Sequence, residues 1–110
     1  GRIKTLTSGQ TVTDFLGTAA DVDTYAIEGS VGDRLFLSFG ESVGTTTYNP
    51  GVFIFNPDGT LLTGDSSESD GHAFSNVEMT QSGTYKVVIR DSQLNLGGAY
   101  TMTAVVIDDT

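Results

Sequence analysis

A chain of 110 residues fits one domain, and its 14 carboxylates against five basic residues leave a net charge of −9. That balance disfavours nucleic acid and anionic membrane, both of which reward clustered Lys and Arg. The absence of cysteine excludes disulfides, thiol catalysis and thiolate metal sites, and no apolar run approaches the length needed to span a bilayer.

No basic-then-apolar leader opens the chain, so it is expected to be a mature or excised segment. In chain order the pattern is strand after strand, without a convincing helix. Arg2 to Thr7 reads as a short strand with Ile3 inward, and Gln10 to Leu16 as a Thr-rich strand burying Val12 and then Phe15 or Leu16. From Asp21 to Phe39 the alternation is clear. Asp23, Tyr25 and Ile27 share one face of a first arm, and Leu35, Leu37 and Phe39 share one face of a second. Gly29, Ser30, Gly32 and Asp33 between the arms predict a tight turn and hence a hairpin.

Residues 40–51 read as a long Gly, Ser, Thr and Asn-rich connection carrying Tyr48. Val52 to Phe55 is a strand closed by Asn56-Pro57-Asp58-Gly59, a turn in which Pro sets φ and Gly tolerates positive φ, so Thr60 to Thr63 pairs back. Gly64 to His72 is a polar loop, and Phe74 to Met79 a strand. Thr84 to Arg90 places Tyr85, Val87 and Ile89 on one face, and the last strand places Tyr100, Met102, Ala104 and Val106 together. Seven to nine short alternating strands with turns between them predict an all-β, antiparallel, jelly-roll-like β-sandwich in a single domain over 1–110, ahead of a closed barrel.

Four stretches then carry a resemblance: D-V-D-T-Y-A-I-E-G-S-V-G-D-R-L-F-L-S-F, F-I-F-N-P-D-G-T-L-L, S-G-T-Y-K-V-V-I-R and G-G-A-Y-T-M-T-A-V-V. In this order and spacing the chain, from about Ile3 to Val106, resembles the bacterial pre-peptidase C-terminal domain. The resemblance implies a sandwich appended to secreted peptidases and other exported hydrolases, removed after secretion or kept as a substrate-binding module. Collagen-binding domains of clostridial collagenases are similar and bind calcium. Asp21 and Asp23 match the acidic positions that open the family's D-x-D-x-Y strand. The acidic segment that often starts such domains is absent, and Asn49 and Gly51 stand where a D-x-D pair often precedes the N-P-D-G strand.

Candidate sites follow from chemistry. Calcium wants six to eight oxygens, and Asp21 with Asp23 is one acidic pair. Residues two apart on a regular strand stand about 6.5 to 7 Å apart, so both reach one ion only if the entry loop bends. Asp65, Glu68 and Asp70 in the Ser-rich loop are a second acidic candidate; the segment fails as an EF-hand, having Asp70 where Gly is needed and Asn76 where Glu should stand. The one histidine, His72, lies beside Asp70 and several serines, but no G-x-S-x-G elbow frames them. No enzyme activity is expected. Phe36, Tyr48, Phe53 and Phe55, with the outward phenylalanines set by alternation, are the candidate ligand-binding residues; packing across strands is the competing reading. The expected function is a non-catalytic accessory module of a secreted or cell-surface bacterial hydrolase, a peptidase foremost, that binds or localises to a polymeric substrate or assists secretion and maturation. Its partners would be a polymer, either collagen-like protein or polysaccharide, and a catalytic domain in the same parent chain. A calcium-stiffened spacer of an adhesin and a carbohydrate-binding module are the alternatives.

Overall fold

The computed structural model describes residues 3–16, 22–41, 50–65, 71–91 and 98–108. These form nine strands and no helix: β1 (Ile3–Thr5), β2 (Thr11–Leu16), β3 (Val22–Gly29), β4 (Arg34–Glu41), β5 (Pro50–Phe55), β6 (Leu61–Asp65), β7 (Gly71–Glu78), β8 (Gly83–Asp91) and β9 (Gly98–Ile107). They build a β-sandwich of a five-stranded sheet, β1-β3-β8-β5-β6, and a four-stranded sheet, β2-β9-β4-β7. All pairings are antiparallel except the parallel pair β1–β3.

Period-two alternation decides the interior. Tyr25, Ile27, Val52, Ile54, Tyr85, Val87 and Ile89 project inward from one sheet, Leu35, Leu37, Phe39, Phe74, Tyr100, Met102 and Ala104 from the other, and all are buried. Each large side chain so placed contributes roughly 1.5–3 kcal/mol relative to exposure. The interior is therefore the main source of stability.

Only β5 and β6 are joined as a hairpin; every other connection carries the chain from one sheet to the other. The predicted hairpin over 21–39 is corrected accordingly. Its two arms are β3 and β4, but the turn between them, Ser30 to Asp33, crosses the top of the sandwich. Asp33 N donates to Ser30 O at 2.9 Å, Ser30 N donates to Asp33 Oδ2 at 3.0 Å, and Gly32 takes φ 93°. This turn locks onto the equivalent crossing between β7 and β8. Gly32 N donates to Met79 O and Met79 N to Asp33 O, both at 2.9 Å, and Val31 N donates to Ser82 Oγ at 3.0 Å. Gly29 has a steric role here: a Cβ on it would stand 2.5 Å from Met79 Cε and 3.2 Å from Tyr85 Cε1.

Two further expectations change. Ile3 is exposed rather than inward, because Leu6 is the buried anchor of this segment and Leu6 N donates to Ala26 O at 2.8 Å; alternation back from Leu6 turns Lys4 inward. His72 and Asp65 lie in strands β7 and β6, not in a loop. The sandwich has two poles. The Asp33 pole carries the short turns at 30–33 and 56–60, and the opposite pole carries Asp23, where β3 begins. Ile3 pairs with Thr24 near the Asp23 pole, whereas Ile107 pairs with Arg34 at the Asp33 pole. The described chain thus enters at one pole and leaves at the other.

Candidate functional site

At the Asp23 pole a polar layer crosses the interior. Alternation that buries Val12 opposite Met102 also turns Asp14 inward opposite Tyr100, so β2 delivers a carboxylate to the space between the sheets. Lys4 from β1 meets it there as a hydrogen-bonded ion pair, and Lys4 Nζ also lies 3.7 Å from Asp23 Oδ1. Tyr100 donates to Asp23 Oδ2 at 2.5 Å, and its oxygen is 2.7 Å from the Tyr25 hydroxyl, which is 3.2 Å from Asp14 Oδ2. Each hydroxyl has one proton to give. With the Tyr100 proton on Asp23, the shorter contact makes the chain run Tyr25 to Tyr100 to Asp23, and Asp14 is served by Lys4. Burial raises both phenols above the usual tyrosine range, Tyr100 by far the more. The hydrogen bond to Asp14 raises the Lys4 ammonium.

The aromatic layer continues across the four-stranded sheet. Phe39 stacks on Tyr100 with centroids 5.2 Å apart and lies 5.9 Å from the His72 ring. His72 has a fully buried side chain, and its Nδ1 is 3.1 Å from Oδ2 of Asp65, which is 43% exposed. The contact ties edge strand β7 of one sheet to edge strand β6 of the other. A histidine sealed in this way cannot meet a substrate.

Of the five carboxylates that are candidates for calcium, Asp21, Glu68 and Asp70 lie outside the described residues. Asp23 and Asp65 do not come together. They occupy one row, Asp23 opposite Ile89, Ile89 opposite Val52, Val52 opposite Asp65, and three strand spacings separate them by about 14 Å. Asp23 is already engaged by the Tyr100 hydroxyl, and the positive charge between Asp14 and Asp23 is the Lys4 ammonium. Among the described residues no three His, Cys, Asp or Glu side chains gather as a metal site. These residues therefore do not fit a calcium ion between them. Asp14 and Lys4 were not singled out from the sequence; the signal was Asp14 in phase with Val12.

The outward aromatics divide between two faces. Phe36 sits on the outer face of the four-stranded sheet, in a shallow depression of about 220 Å³ with Ala73, Thr103 and Val105. Phe53 and Phe55 sit on the outer face of the five-stranded sheet, so Phe36 cannot share a ligand platform with them; Tyr48 lies outside the described residues. Around Phe53 and Phe55 is a groove of about 350 Å³, completed by Val22, Leu61, Val88 and Arg90. Val22 and Leu61 are exposed large apolar side chains. The Phe53 ring lies against Gly64, where a Cβ would come within 2.6 Å of its Cδ1. The Arg90 guanidinium covers the ring at 4.7 Å.

Comparison with solved structures finds this fold over 94% of each chain in the pre-peptidase C-terminal domain of the Bacillus anthracis collagenase, with TM-score 0.71. The chain has the fold of a pre-peptidase C-terminal domain. At 10% identity the likeness is one of fold alone. The periplasmic inhibitors of g-type lysozyme, PliG, also share it. The Aeromonas hydrophila protein matches with TM-score 0.68, 12% identity and coverage of 96% of this chain and 97% of that one. The Salmonella Typhimurium protein matches with TM-score 0.60, 19% identity and coverage of 96% and 99%. No family model and no curated protein sequence matches the chain.

Proposed function

We propose that this pre-peptidase C-terminal-like domain is a non-catalytic accessory module of a secreted bacterial hydrolase, a peptidase foremost, and that it holds its parent to a polymeric substrate. The observation that carries the reading is the match in fold over 94% of each chain with a domain belonging to a collagenase. Two features support it. The sole histidine is sealed in the interior, and the exposed Val22 and Leu61 join Phe53 and Phe55 in an open groove on one sheet face. The periplasmic setting of the PliG proteins agrees with export. The test is retention of the domain on collagen, cellulose, chitin and alginate; retention on at least one is expected, and passage through all four refutes the binding role.

A second reading, a spacer in a surface protein, draws support from the entry and exit of the chain at opposite poles. For that role the expected result is a calcium-dependent rise in melting temperature with no retention on any polymer.

A further inference from the structure

The outer face of the five-stranded sheet has a charge pattern not repeated elsewhere among the described residues. Four cations are described. Lys4 is paired with Asp14 and Asp23, and Arg34 lies 3.7 Å from Glu78. Lys86 and Arg90 are exposed on the central strand β8, and among the described residues neither has a carboxylate within salt-bridge distance. Between them on the same face is Val88. Across β5 they are flanked by Phe53 and Phe55, and across β3 by Val22, Thr24 and Ala26, with Leu61 beyond Phe55. The carboxylate described on this face, Glu28, accepts a hydrogen bond from Thr84 at 2.6 Å, beyond Lys86 toward the Asp33 pole.

We propose that this face, with Lys86 and Arg90 at its ends and Val88, Phe53, Phe55, Val22 and Leu61 as its floor, binds an extended polypeptide segment in which acidic side chains flank an apolar one. The proposal rests on the accessory-module reading and specifies its substrate class. Geometry sets the register. Lys86 and Arg90 are four residues apart on one strand, hence about 13 Å, and an extended peptide places its own residues i and i+4 on one face at that same spacing, with i+2 between them. The preferred segment is therefore acid-x-apolar-x-acid lying along β8. Sugars suit the face poorly: ring hydroxyls call for planar amide and carboxylate partners, and the described groove offers none, whereas aliphatic and aromatic side chains find a matching floor. A net charge of −9 repels an acidic ligand at long range. At 0.15 M salt that field is screened beyond about 8 Å, so contacts to the two cations govern recognition.

The probe is a blocked synthetic peptide containing Asp-Thr-Phe-Thr-Asp, titrated into the domain by NMR, with the Lys-Thr-Phe-Thr-Lys peptide, cellohexaose and chitohexaose as comparisons. Shifts confined to β8, β5, Leu61 and Val22 with its β3 neighbours on this face are expected with the acidic peptide alone. Neutralising both cations in K86Q/R90Q, which touches only exposed side chains, should weaken binding roughly tenfold, since one exposed ion pair accounts for up to about fivefold. Leu61→Ser should weaken it about threefold or more without altering the fold. Equal binding of the basic peptide, shifts on another face, preference for either oligosaccharide, or perturbation of this face by raising protein concentration alone overturns the proposal. Retention of the wild type on a polymer, unchanged in K86Q/R90Q, sinks this face but leaves the module reading intact. Peptide binding here without retention on any polymer does the reverse.

Discussion

Replacing Tyr100 by Phe removes one oxygen from the polar layer and nothing from its packing. The lost hydroxyl donates to Asp23 at 2.5 Å and accepts from Tyr25. Tyr25 keeps an alternative acceptor in Asp14 at 3.2 Å, so the unreplaced loss is the donor to a carboxylate whose side chain is only 16% exposed. A hydrogen bond to a charged group contributes about 1.5–3 kcal/mol, against about 0.5–1.5 for a neutral pair. Tyr100→Phe should therefore cost about 2 kcal/mol, lowering the melting temperature by roughly 8 °C for a domain of this size, and Tyr25→Phe should cost about half as much. Urea unfolding at pH 7 measures both. The alkaline limb supplies a second readout. Both phenols keep their protons in the folded state above pH 10, where the unfolded chain releases them, so stability falls as pH rises past that point. Lys4 acts in the same sense: its contribution is complete below 10.5 and is lost as pH rises through its raised folded value. Tyr100→Phe should flatten this decline. A cost at pH 7 below 0.5 kcal/mol, or Tyr25→Phe costing as much as Tyr100→Phe, would show that the assigned direction of the proton chain is wrong.

Gly29→Ala drives a methyl into the buried Met79 side chain and should cost about 1–3 kcal/mol by overpacking; pairing it with Met79→Ala, which clears the space, should recover part of that loss in a double-mutant cycle. Gly64→Ala should displace the Phe53 ring, visible as loss of its ring-current shifts on Arg90 even where stability changes little. Calcium titration followed by melting temperature should give the same response in wild type and Asp23→Asn, each measured against its own calcium-free value, because Asp23 is already engaged by Tyr100; a calcium-dependent rise that disappears in Asp23→Asn would refute this.

Alternation made most of the interior legible: Tyr25, Leu37, Val87 and Tyr100 face inward as their spacing demands. The route between sheets was not legible. Gly29, Ser30, Gly32 and Asp33 have the composition of a hairpin turn, and what makes them a crossing is the distant Met79 and Ser82, which hydrogen-bond to them from the next crossing. The polar layer was half visible. Asp23 was in phase with Tyr25 and Ile27, but Asp14 and Lys4 are charged, and a charge in a short strand is ordinarily assigned to solvent. Their inward placement becomes affordable only when strands remote in sequence bring the partners together. The polar neighbours of His72 give it the composition of a loop; pairing with β4 extends β7 back to Gly71. Separation of Phe36 from Phe53 and Phe55 required knowing that β4 and β5 belong to different sheets.

Entry of the chain beside Thr24 and exit beside Arg34 set how such a unit is strung. Whatever is joined ahead of Ile3 and behind Ile107 emerges at opposite ends of the strands, separated along them by about five residues or roughly 17 Å, rather than side by side. A comparable reach from a flexible Gly-rich tether would take on the order of 10 residues and would fluctuate over its whole length. The strand bearing Lys86 and Arg90 pairs antiparallel along β3 and so runs between those two ends; a polypeptide lying on it would be aligned with the string, and repeated units would present their gripping surfaces in file.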